Sequence, residues 1–321
     1  MKIAGVVAGF ALLATAAQAQ VKITPKLIHA SQGEREIKVR YPKTGNAAVD
    51  KVLTGFAKAT ASYVDFSQPA DEDNAHDVRM DFRVLRNDAQ MLTVALDSSI
   101  YYGGAHPMPN GVSFTFLMPD GWRVFLPELV DGQRAMNRIS DLAKEQIRRE
   151  AAKEATLNQD LMHDIDTGAG PHSLNDTAFV WKPDELVLSF GSYEMFGYPG
   201  GPDVHIPMAK LADVVRANPR APQPSFNCLR AHASIEKALC NNVELARQDR
   251  ALADQYADAI ARQRYYLTRY PKNAAREQDA LDKLIAGQKS WQGERDRQCA
   301  NGEATCLAAS YKTRLEEARR F

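Results

Sequence analysis

The stretch SFNCLRAHASIEKALC, residues 225–240, opens with Ser225, carries Cys228, and closes on Cys240 after a short apolar-periodic run beginning at Ile235. It follows Asn218-Pro-Arg-Ala-Pro-Gln-Pro224, whose three prolines in seven residues read as an extended, semi-rigid linker. All four cysteines of the chain, Cys228, Cys240, Cys299 and Cys306, lie beyond that linker. No strand pattern survives there either. Residues 234–239 read as a short helix, and Leu245, Leu252, Tyr256, Ala259, Gln263 and Leu267 mark a long one that stops at Pro271. Leu281, Leu284, Ile285, Gln288 and Trp291 mark a third, and Leu307, Tyr311 and Leu315 a fourth. Residues 225–321 are therefore expected to form a small all-α bundle stapled by disulfides.

Working outward to the start, residues 1–19 have one cation at Lys2, an apolar run through Leu13 and Ala17-Gln18-Ala19 before Gln20, the pattern of a secretory signal cleaved after Ala19. That run is short of the about 20 residues of a membrane span, and the expected location is periplasmic or secreted. In an exported chain an even number of cysteines is expected to be oxidised. Local pairing of Cys228 with Cys240 and Cys299 with Cys306 is the favoured one of three connectivities, because each pair brackets a short segment. Cross-pairing of the first helix to the far end of the bundle stays open.

Residues 20–217 read as an α+β domain with a mainly antiparallel sheet and helices, preceding the linker 218–224. Residues 36–41 alternate and end at Pro42; Val49, Leu53, Phe56, Ala57 and Val64 give a helix. Residues 78–84 and 91–102 form a hairpin with one wet face carrying Arg79, Asp81 and Arg83. Strands are expected at 112–117 and 122–126, with Pro107 and Pro109 ending the pairing before them. Met136, Ile139, Ala143 and Ile147 share a helix face, 158–175 reads as a polar loop, strands follow at 177–181, 186–190 and 203–208, and a short helix at 209–215.

Charge narrows the function. Residues 20–224 carry 22 Lys and Arg against 27 Asp and Glu, and residues 225–321 carry 17 against 13. A dense basic patch for nucleic acid is absent. His163, Asp164, Asp166 and His172 fall close together without a tight ligand spacing, which favours a surface segment over a metal site. His106 and His205 each stand beside a Gly- and Pro-rich turn, where structural or surface roles are favoured. There is no Gly-x-Ser-x-Gly elbow, oxidised cysteines offer no thiolate, and nothing calls for a catalytic residue, a metal or a cofactor. Asp249 and Arg295 are a candidate structural ion pair. Tyr101, Tyr102, Gly103, Gly104 and His106, with Tyr198, Gly200 and Gly201, are candidate protein-binding loops, since rigid aromatics beside Gly-Pro turns order at low entropic cost; sheet-end packing is the competing role.

Cys228, Ile235, Cys240, Glu244-Leu245, Asp249, Leu252, Tyr256, Gln288, Trp291, Arg295-Asp296, Cys299, Cys306, Tyr311 and Arg314-Leu315 carry a further signal in their joint spacing. Through them residues 225–321 resemble the N-terminal domain of LprI-type lysozyme inhibitors. Residues 37–42, Tyr102-Gly-Gly-Ala-His106, the Asp120-Gly121 turn with Phe125-Leu-Pro-Glu-Leu129, and 190–206 with Gly200-Gly201-Pro202 make the first part resemble the extracellular domain of RsiV-type anti-sigma factors, also an accessory of polysaccharide deacetylases. The sequence has no transmembrane segment, sigma-binding part or deacetylase domain, so neither signalling nor deacetylation is implied. The resemblances together imply a non-catalytic envelope binding protein whose ligand is a lysozyme-type muramidase or the cell-wall glycan. A structural or stress-related periplasmic interaction protein is the alternative, and a hydrolase the last.

Overall fold

The computed structural model describes residues 20–71, 73–154, 158–175, 177–190 and 201–318. The signal-like segment lies outside them. A six-stranded sheet runs in chain order through β1 (Thr24–Gln32), β2 (Arg35–Lys43), β3 (Asp77–Asn87), β4 (Met91–Tyr101), β5 (Met108–Leu117) and β6 (Trp122–Val124). Every pairing in it is antiparallel except β2 with β3, which are parallel because α1 (Ala47–Ala61) carries the chain back between them. α1 forms at the expected place, with Asn46 accepting from the amides of Ala48 and Val49 at its N-terminus. The Asn46 side chain also donates to the Pro119 carbonyl at 2.7 Å, fastening the helix to the β5–β6 turn. Gly121 in that turn has φ +72°, and a Cβ there would sit 2.3 Å from Asn46 Oδ1, so only glycine fits.

Several of the expected local features come out differently. Pairing of β4 with β5 continues to Ser99↔Pro109 and Ile100↔Met108. Proline is tolerated because β6 pairs only with 115–117, which leaves β5 an edge strand at Pro109. β4 is not half-wet: residues 91–96 are all buried. Leu92, Val94 and Leu96 face the core under α1, whereas Met91 belongs to a second core on the other side. The helix expected at 209–215 is a single 3-10 turn at Met208–Lys210, after which Asp131 donates to Val214 O and Arg216 to Leu129 O in a β-bridge.

That second core joins a three-stranded antiparallel sheet, β7 (Ala178–Trp181), β8 (Glu185–Ser189) and β9 (Asp203–Pro207), to α2 (Leu126–Leu129), α3 (Gly132–Glu154) and α4 (Gln159–Gly168). Met136, Ile139, Ala143 and Ile147 of α3 are buried with Leu186, Leu188, Val204 and Ile206, as their helical spacing predicts. The segment read as a polar loop contains α4, begun by Asn158, whose side chain accepts from Leu161 N.

Beyond residue 225 the chain is helical: α5 (Ser234–Asn241), α6 (Val243–Arg269), α7 (Ala274–Gln298) and α8 (Ala304–Ala318). Its core is small, built on Ile235, Leu239, Leu245, Leu252, Leu307 and Tyr311. Such a core is reinforced by Cys228–Cys240 and Cys299–Cys306, the local connectivity. In chain-entropy terms, closing loops of this length contributes roughly 2–3 kcal/mol per bond.

Candidate protein-binding surface

β3 starts where β4 ends, Asp77 standing opposite Tyr101. This register brings the segment before β3 beside the β4–β5 connection, so residues 62–71, 73–77 and 101–107 share one end of the sheet. Tyr101 O accepts from His76 N at 2.7 Å, and their rings lie 5.9 Å apart. Gly103 has φ +89° and its Cβ position is 3.4 Å from the His76 ring. Tyr102 packs against the α1 core. Burial raises its phenol pKa, with Tyr63 and Asp73 adding to the effect.

Residues 62–71 and 73–77 are pinned for a reason the sequence states only indirectly. Buried Asn74 donates to the carbonyls of Asp65 (3.0 Å) and Pro69 (2.6 Å) and accepts from Asp65 N (2.8 Å) and Arg35 (3.0 Å). Arg35 also donates to Gln68 O and Ala75 O and lies over the Phe66 ring. Asp65 is held below the usual carboxylate range, chiefly by hydrogen bonds from the Ser67 hydroxyl and amide. The result is an exposed surface in which Tyr63 and Asp73 lie near Tyr102, with Asp65 and Asp71 exposed on the same segment. The register of β3 with β4 is what places these acids here.

Of the other expected positions, Tyr198 and Gly200 lie outside the described residues. Gly201 lines a separate cleft with Asn110 and Gly111 of β5. His106 is exposed, its Nδ1 3.1 Å from Pro107 O, while His205 Nδ1 is 2.9 Å from Glu185 Oε2. The two histidines thus have separate partners. His163 stacks on Tyr265 at 3.4 Å, Asp166 meets Arg148 and Lys144, and His172 meets Asp254. Among the described residues no group of three or more His, Cys, Asp and Glu side chains is arranged to hold a metal ion.

Asp249 and Arg295 meet through a third residue. The Tyr311 hydroxyl donates to Asp249 Oδ1 at 2.7 Å and accepts from Arg295 at 2.8 Å; the salt bridge of Arg295 is with Asp296. Burial and the Asp249 carboxylate push the Tyr311 pKa far up, so it stays a donor. Asp249 Oδ2 also accepts from Ser225 N and Oγ, at 2.8 and 2.6 Å.

α6 is shared. One side closes the bundle, and the other docks on the strand-bearing part. Arg247 donates to both oxygens of Glu128 (2.8 and 3.0 Å) and to Arg123 O (2.8 Å), with its guanidinium about 5 Å from the Trp122 and Phe125 ring centres. Further along, Asp254 holds His172 at 2.6 Å, and Asp160 of α4 accepts from Arg269 and Tyr265. The Asp254 hydrogen bond raises the His172 pKa against the desolvation that lowers it, with Asp254 and Asp258 adding attraction and Arg250 opposing. A raised folded-state pKa means the contribution is complete below the ordinary histidine value and disappears as pH rises through the folded one. Denaturation midpoints are therefore expected to fall across pH 6.5 and above in the native chain. In His172→Gln that component of the slope should vanish; an unchanged slope would remove His172 from the account.

These features define a two-part chain, an α+β part carrying a rigid acidic and aromatic surface and a disulfide-stapled helical part locked onto it. Comparison with known families agrees with both resemblances: residues 228–318 match the family "Lysozyme inhibitor LprI" and residues 128–209 match "Protein of unknown function (DUF3298)". The similar solved structures include two of that family. One is a DUF3298 family protein from Pseudomonas aeruginosa PAO1, at 14% identity and TM-score 0.43, covering 62% of this chain and 97% of that one. The other is a member of the same family from Bacteroides fragilis NCTC 9343, at 15% identity and TM-score 0.43, covering 62% and 96%. No curated protein matches the chain. No helix among the described residues is long and apolar enough to cross a membrane.

Proposed function

We propose that this protein is a non-catalytic envelope protein that binds and inhibits a lysozyme-type muramidase. The observation that carries this reading is the family match of residues 228–318, over nearly the whole helical part. The surface around Tyr102 supports it with a place for contact. Tyr102 is held by packing on the α1 core and the Asp65 and Asp71 carboxylates by hydrogen bonds, so little entropy is lost there on docking. The acidic balance of residues 20–224, 22 cations against 27 anions, suits a basic enzyme and acts mainly on the association rate. Inhibition then follows from occlusion of the enzyme's cleft.

The test is titration of the purified chain into a panel of muramidases, with heat of binding and glycan hydrolysis measured together. Binding at micromolar concentration or tighter is expected for at least one, with an association rate that falls as salt rises. Tyr102→Ala should weaken it by about tenfold or more, as loss of an aromatic anchor does, and Asp73→Lys should slow association. Absence of micromolar binding to any muramidase class would reject the function; binding that both substitutions leave untouched would reject this surface.

A further inference from the structure

Leu229 is the most exposed large apolar side chain among the described residues, with 93% of its surface open to solvent. It stands in the middle of a 3-10 turn, Cys228–Arg230, that is fastened on both sides. Before the turn, Ser225 is bonded to Asp249 and Phe226 packs on the bundle core; the Cys228–Cys240 bond ties the turn itself to the end of α5. Five consecutive amides within it are engaged. Leu229 N donates to Asn227 Oδ1 (2.9 Å), Arg230 N to Asn227 O (3.0 Å) and Ala231 N to Cys228 O (3.2 Å). His232 N and Ala233 N both donate to Glu236 Oε2, at 2.7 and 3.0 Å. A backbone bonded in this way does not turn Leu229 inward, and docking through it loses little conformational entropy.

The charge next to this apolar tip is positive. Arg230 is exposed and forms no ion pair among the described residues. Glu236 is the only acid in residues 225–240, and its carboxylate is spent on the loop's own amides. We infer that residues 227–231 are the inhibitory element of the chain, entering the substrate cleft of a muramidase with Leu229 in an apolar sugar subsite and Arg230 at a catalytic carboxylate. This rests on the muramidase reading and adds to it the element that does the occluding. A convex apolar tip fits a concave apolar pocket, and a cation directly beside it fits a pocket edged by acids. Glycan-cleaving clefts combine the two, because ligand pockets are lined mainly by apolar groups and the reacting bond is flanked by a pair of carboxylates.

Leu229→Asp and Arg230→Glu are made in the full chain and compared with the native chain and with Tyr102→Ala. Binding, inhibition of glycan hydrolysis and Tm are measured for each, against a c-type lysozyme and every other muramidase that binds the native chain. Both side chains are exposed, so both loop variants are expected to keep the native Tm. Each should raise the inhibition constant by about tenfold or more, since one brings a charge into an apolar subsite and the other sets like charges against each other. Tri-N-acetylchitotriose, which occupies the cleft, should compete with the native chain for the enzyme. If the native chain inhibits and both loop variants inhibit equally well, the loop is overturned and the muramidase reading stands. Binding that chitotriose leaves unchanged would have the same meaning. Failure of the native chain to bind any muramidase would reject both.

Discussion

Asp249→Ala is expected to destabilise the protein by about 3–5 kcal/mol, the range for removing one member of a buried, hydrogen-bonded charged network. The carboxylate receives three hydrogen bonds, from the Tyr311 hydroxyl and from the amide and hydroxyl of Ser225. Tyr311 is fully buried, so its hydroxyl has no water to turn to. Arg295 loses nothing directly but is left beside a tyrosine that has lost its acceptor. Tyr311→Phe, which keeps the ring against Trp291 and removes only the hydroxyl, should cost less, about 1–3 kcal/mol. Urea denaturation of both variants checks this. A loss under about 1 kcal/mol in Asp249→Ala would mean that water replaces the three donors' partner and that the network is dispensable.

Arg247→Ala is expected to have an effect of similar size, about 3–5 kcal/mol, but located at the junction. Glu128 has 9% of its side-chain surface exposed, and with Arg247 gone it loses both guanidinium hydrogen bonds and keeps the Phe125 amide as a donor. The same substitution removes the guanidinium packed on Trp122 and Phe125. The helical part should then loosen from the strand-bearing part before either unfolds, seen as faster proteolysis between residues 216 and 225 under native conditions. Because the penalty comes from an unpaired carboxylate, Glu128→Gln in the Arg247→Ala background should return part of the lost stability. A double variant no better than the single one would place the cost in the lost ring contacts instead.

Periodicity alone was enough for α1, α3, β3 and the four C-terminal helices, because each buries one regular stripe. It failed where burial does not alternate. β1 is TPKLIHASQ, exposed along almost its whole length, and has no apolar face to announce it. β4 is buried on both faces at 91–96, which reads the same as a longer half-wet strand until the second sheet is known to lie over it. α4 was obscured by its acids and histidines, which look solvated in sequence but are spent on α3 and α6 through Asp166 with Arg148 and Asp160 with Arg269. The candidate surface was half legible: the aromatic and glycine pattern of 101–104 stands out, whereas the neighbouring acids depend on a strand register. Asp249 and Arg295 were legible as neighbours, but the tyrosine between them lies on a third helix.

The proline-rich stretch before the bundle has a consequence for how this architecture can vary. Arg250 donates to the carbonyls of Gln223 and Pro224, Arg216 to the Gln223 side chain, and Arg220 to Asp120. With Ser225 fixed on Asp249, consecutive residues are clamped in a set order along α6. Prolines there can be exchanged for other residues that lie extended, but adding or deleting one residue would shift every clamp past its partner. A segment that looks like a spacer is thus a ruler, tolerant of composition and intolerant of length.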